Sequence, residues 1–147
     1  MRWTAAASCG LAILAVCAGI GCSESAGPPT LTGSWLYSAP NLTSNGVQCS
    51  VYATLDLKQS GADFSGTYKA ASVFCNAPFG RGWGLSGAVL SGSLVGDTVA
   101  FDLDSPTYHH VGEWTGSTMS GTASATIVVT GPVGSITITG DWSARKQ

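Results

Sequence analysis

The fold predicted from the sequence is all-β: an antiparallel up-and-down meander of about eight strands, closed or nearly closed into a barrel. Three observations predict it. From Leu31 onward, apolar and polar residues alternate in runs of period two, and no window carries a helical period. These runs are rich in Val, Ile, Thr and aromatic residues, and Gly, Asn, Asp and Pro interrupt them at short intervals. A short pattern, an apolar residue, then Ser or Thr, then Gly, also recurs. It stands at Leu31-Thr32-Gly33, Phe64-Ser65-Gly66, Leu85-Ser86-Gly87 and Leu90-Ser91-Gly92, and again at Trp114-Thr115-Gly116, Met119-Ser120-Gly121 and Ile138-Thr139-Gly140. Glycines so placed relieve strain where a strand bends around a small barrel, or admit a large side chain from the next strand.

The N-terminal residues have a different composition. Arg2 supplies a positive charge, and Leu11 to Ile20 form an uncharged apolar run. That run is shorter than the roughly 20 residues a spanning helix needs, so residues 1–21 read as a secretory signal peptide. Its end, Gly19-Ile20-Gly21-Cys22, resembles the lipobox of bacterial lipoproteins, in which the cysteine is acylated and becomes the first residue. The resemblance implies lipidation of Cys22, and Ser23 after it implies the outer membrane. The alternative is cleavage near Ala26 and a soluble secreted protein. Residues 22–30, with Gly27-Pro28-Pro29, read as a flexible tether, and residues 31–147 as the barrel domain.

The strands expected within that domain are 31–38, 47–59, 64–75, 84–95, 98–104, 108–116, 119–130 and 135–145. Two long connections stand out, Ala39 to Gly46 and Asn76 to Gly84. A turn at Gly61-Ala62 sets Leu57 opposite Gly66 and Leu55 opposite Tyr68. A turn at Gly96-Asp97 sets Leu94 opposite Val99, Gly92 opposite Phe101 and Leu90 opposite Leu103. A turn at Ser117-Thr118 sets Trp114 opposite Gly121.

Cysteine bookkeeping fits export. Cys9 and Cys17 leave with the signal peptide, Cys22 takes the lipid, and Cys49 and Cys75 remain as a disulfide in an oxidising compartment. The register set by Gly61-Ala62 leaves Cys49 one residue out of step with Cys75. The bridge therefore requires an irregularity near Ala70-Ala71-Ser72 or after Val73.

The opening Leu31-Thr32-Gly33-Ser34-Trp35 and the close Gly140-Asp141-Trp142 resemble the lipocalin/avidin group of small barrels, where a Gly-x-Trp on the first strand closes one barrel end. Phe64-Ser65-Gly66-Thr67-Tyr68 resembles the second hairpin of the avidins. The resemblance implies the fold only. Two of the avidins' polar biotin contacts are not reproduced: Tyr37 stands where they carry a small polar side chain, and Tyr68-Lys69-Ala70 replaces their Tyr-x-Ser.

Composition excludes several functions. Charged residues make up 10% of the chain, and its net charge is −2, so no basic field awaits nucleic acid. No Gly-x-Ser-x-Gly elbow, phosphate loop or zinc-spaced Cys/His set occurs. His109 and His110 are adjacent, so on a strand they face opposite sides and do not share a metal ion. Asp102, Asp104 and Glu113 nearby read as solvated strand residues. The protein is therefore expected to be a monomeric, non-enzymatic binding module without cofactor or metal, held in the bacterial envelope by its lipid. Its partner is expected to be a small apolar ligand or an envelope protein, taken at one barrel mouth. Phe79, Arg81 and Trp83 in the Asn76–Gly84 connection are the expected binding anchors. Tyr68, Phe101 and Trp114 are the expected lining of a ligand cavity. A lipoprotein inhibitor that inserts a loop into a hydrolase and a structural surface protein are the alternatives.

Overall fold

The structure is a computed structural model that describes residues 29–76, 86–104, 107–129 and 134–147. Eight antiparallel strands follow one another: β1 (Gly33–Ser44), β2 (Val47–Ser60), β3 (Asp63–Cys75), β4 (Ser86–Val95), β5 (Thr98–Asp104), β6 (Thr107–Trp114), β7 (Thr118–Val129) and β8 (Gly134–Lys146). Each pairs with its neighbours in sequence, and β8 returns to β1, so the sheet is a closed barrel. Closure leaves no sheet edge unpaired, which suits a domain with many short, polar-faced strands. The architecture is compatible with the lipocalin/avidin-type barrel that the motifs resemble.

Alternation along each strand puts one face into the lumen. On β2, Cys49, Val51, Ala53, Leu55 and Leu57 are buried while Tyr52, Asp56 and Lys58 between them are exposed. The inward residues of all eight strands form one apolar cluster, from Leu31 and Trp35 to Leu42, Ile127 and Ile138.

The β2–β3 hairpin keeps the expected register, with Leu57 opposite Gly66 and Leu55 opposite Tyr68. Its expected irregularity is a bulge: Ala53 faces Ala70 and Tyr52 faces Ser72, leaving Ala71 unpaired. That one extra residue brings Cys49 opposite Cys75, and the two form a disulfide.

Three expectations are corrected. Ala39 to Gly46 is not a connection. β1 runs on to Ser44 through a bulge at Pro40 and Asn41, where a residue without an N–H is tolerated, and turns at Asn45-Gly46. Both turn residues have positive φ, 47° and 81°, as a two-residue hairpin of the Asn-Gly kind demands. In the β4–β5 hairpin, Leu94 does face Val99, but a bulge at Ser91, with φ of 52°, shifts the rest, so Val89 rather than Leu90 faces Leu103. Gly92 shares with Ser91 the bulge opposite Phe101, and across the β3–β4 pairing it faces Phe64. A Cβ on Gly92 would meet the Phe64 ring at 2.6 Å, so only glycine fits beneath that phenyl. In β6–β7, Trp114 faces Met119, and the aromatic paired with Gly121 is Trp142 of β8.

Candidate functional site

Turns alternate between the two barrel ends, which makes the ends unequal. At one end lie the turns at 61–62, 96–97 and 115–117, the incoming segment Pro29–Thr32 and the C-terminus. At the other lie Asn45-Gly46, the disulfide, and the strand ends that flank residues 77–85, 105–106 and 130–133.

The first end is plugged. Leu31 and Trp35 are fully buried, and the Trp35 indole N–H donates to the Leu31 carbonyl at 2.8 Å. The Leu31 N–H donates in turn to Gln59 Oε1 at 2.8 Å. Lys146 lies 5.7 Å from the Trp35 ring centre and donates to the Thr30 carbonyl, so a cation covers the indole. Lys146 is a residue that the sequence did not single out. Its role depends on the β1–β8 pairing of Trp35 with Lys146, which no local pattern announces.

Midway along the lumen, rings from several walls meet. Phe101 of β5 stacks on the His110 imidazole of β6, with centroids 4.3 Å apart and planes 3° from parallel. Trp142 of β8 stands edge-on to Phe101 at 5.2 Å and to His110 at 5.4 Å. Tyr37 of β1 stacks against Trp142 at 6.0 Å, and Phe64 of β3 reaches Phe101 at 5.9 Å. Contacts between β1 and β6 or β5 and β8 span the lumen, so these rings meet across it at this level.

His110 is the buried polar residue at the centre of this cluster, 1% exposed. Strand alternation puts His109 outside, where it meets Asp102 at 2.6 Å. His110 Nδ1 lies 3.1 Å from the Tyr108 carbonyl and donates its proton there, which leaves Nε2 to accept from the Tyr37 hydroxyl at 2.9 Å. The Tyr37 and Tyr108 hydroxyls are also 2.9 Å apart, completing a buried chain of hydrogen bonds. Burial pushes the His110 imidazole down to about 3, partly offset by the backbone carbonyls of Tyr108 and Phe101. Burial likewise raises both tyrosines above the usual phenol range. The network is neutral and buried. Its chemistry is that of a core-ordering device.

The sequence-derived lining residues fall at three levels. Phe101 belongs to the central stack. Trp114 is half-buried at the plugged end, its indole N–H donating to the Gly116 carbonyl at 3.2 Å. Tyr68 is buried on β3, and its hydroxyl donates to the Asp104 carboxylate at the last position of β5. Burial and then the Asp104 charge raise the Tyr68 phenol. Cys22, the signal peptide, most of the tether, and Phe79, Arg81 and Trp83 lie outside the described residues. No group of three or more metal-ligating side chains occurs among the described residues. No protein-family model, curated protein or solved structure matches the chain.

Proposed function

We propose that this protein is a lipid-anchored recognition module of the bacterial envelope that engages a partner protein at the barrel mouth opposite its tether. The observation that carries the reading is the inequality of the two ends. The chain enters at the end plugged by Leu31, Trp35 and Lys146. A tether of residues 22–30, anchored through an acyl group on Cys22, extends at most ~30 Å and joins at that end. The opposite mouth therefore faces away from the membrane. At that end lie the disulfide staple and the strand ends that flank residues 77–85, a stretch whose sequence holds Phe79, Arg81 and Trp83, side chains of the kind that anchor protein interfaces.

The rings that meet across the middle of the lumen favour a partner at the mouth over an apolar ligand deep in the barrel. A hydrolase inhibitor that presents this connection is one form of the same reading. Membership of the lipocalin-like lipoproteins belongs to it as well, resting on the Gly33-Ser34-Trp35 motif and the closed meander.

The test is a pull-down from envelope extract, using protein whose mature N-terminus mass spectrometry identifies as acylated Cys22. Wild type is expected to capture a protein that the Phe79→Ala/Arg81→Ala/Trp83→Ala variant does not. Identical captures, or an unmodified N-terminus, would overturn the corresponding part of the reading.

A further inference from the structure

Outside the lumen, beside the disulfide, the rim holds a cleft of about 170 Å³ lined by Pro40, Gln48, Cys49, Ser50, Phe74 and Asn76. It owes its existence to two bulges. The bulge at Pro40 and Asn41 swings β1 away from regular pairing, and the bulge at Ala71 resets β3 so that Phe74 stands opposite Ser50 on the outer face. Phe74 is 65% exposed, an unusual position for a phenyl, which ordinarily buries most of its area.

The polar side chains around that phenyl are held in place by the protein itself. Gln48 Nε2 donates to Asn41 Oδ1 at 2.9 Å, and Asn76 Nδ2 donates to the Gly46 carbonyl at 3.2 Å. Asn76 Oδ1 accepts from the Gln48 N–H at 2.9 Å, and the Cys49–Cys75 bridge lies directly behind. Among the described residues each amide keeps capacity: Gln48 retains one N–H and its Oε1, and Asn76 retains one N–H. The Ser50 hydroxyl makes no side-chain hydrogen bond among the described residues. None of the described lining residues carries a charge.

We propose that this cleft is a binding site for one neutral sugar ring. A pyranose has an apolar C–H face that stacks on an exposed phenyl and a rim of hydroxyls that both donate and accept. Fixed amides and a serine hydroxyl answer that pattern in both directions, and the described lining residues offer an anion or cation no counter-charge. The volume is well under the ~300 Å³ of sites for drug-sized ligands, which limits the occupant to a single ring. The inference goes beyond the proposed protein partner and does not depend on it. The sugar can come free or as the terminal unit of a glycan, and the chemistry of the site is the same for both.

Saturation-transfer NMR with methyl glycosides of glucose, galactose, mannose and N-acetylglucosamine tests the site, with glucuronic acid as the charged control. At least one neutral glycoside is expected to bind with a millimolar Kd and to shift the amide signals of Gln48, Ser50 and Asn76. Phe74→Ala is expected to weaken it at least tenfold, and Gln48→Ala several-fold. Both side chains lie at the surface, so unchanged thermal unfolding of the variants separates lost binding from lost fold. Retention on insoluble dextran or mannan, against binding of free glycosides alone, distinguishes a glycan terminus from a free sugar. No transfer from any neutral glycoside, equal binding of glucuronic acid, or transfer unaffected by Phe74→Ala would overturn the proposal.

Discussion

At the residue scale, His110 shows how a titratable group becomes a core residue. Its imidazole is neutral because burial opposes charge, and Tyr37 and the Tyr108 carbonyl satisfy both ring nitrogens. The consequence is an acid dependence with a definite sign. In the unfolded chain the group titrates near the ordinary histidine value of 6.5, and in the folded protein at about 3. Above both values it is neutral in either state and contributes no pH dependence. As pH falls from about 6.5 towards 3, the unfolded state binds the proton first and the folded state loses stability, by on the order of 4 kcal/mol at the end of the window. Urea unfolding at pH 7, 5 and 4 checks this. Wild type is expected to lose stability steadily, and His110→Phe to lose much less. At pH 7 the variant is expected to be about 1 kcal/mol less stable, because Tyr37 has lost an acceptor. The inward placement of His110 and the outward placement of His109 were readable from alternation alone. The partners were not, since Tyr37 and His110 are 73 residues apart and meet only across the closed lumen.

Among the elements, the β2–β3 hairpin is where sequence and structure agree most closely. Core alternation fixed one register and the two cysteines demanded another, and a bulge at Ala71 resolves the difference of one residue. The bridge spans a separation of 26 residues, for which chain entropy gives about 3 kcal/mol. Cys49→Ala/Cys75→Ala is therefore expected to lower the thermal unfolding midpoint by roughly 10 °C for a domain of this size. The same loss on adding reductant to wild type would identify the bridge as its source, and unchanged unfolding would contradict it. Elsewhere the elements were legible and the registers were not. Pro40 reads as a strand terminator, yet at a bulge its missing N–H costs nothing, so β1 continues to Asn45-Gly46. Ser91 gives no sign of a bulge, because serine rarely adopts the positive φ it has here. Its shift sets two residues, Ser91 and Gly92, against Phe101 where one was expected.

For the whole molecule, the informative property is the difference between the barrel's ends. The composition identified a barrel, and the Gly33-Ser34-Trp35 motif pointed to one closed end. Which residues seal it became visible only with closure, when β8 set Lys146 against Trp35. The candidate site was legible as a set of residue types and not as a place: Tyr68, Phe101 and Trp114 alternate inward as expected but stand at different heights, and strand shear is not written in any one strand. The proposed recognition at the mouth away from the tether carries the functional reading. Site-specific photo-crosslinking in intact cells tests it most directly, with the photoreactive residue placed either at Phe79 or at Asp97, an exposed turn residue at the plugged end. A discrete protein adduct is expected from position 79 and none from position 97; an adduct from position 97 alone, or the same adduct from both, would overturn the proposal.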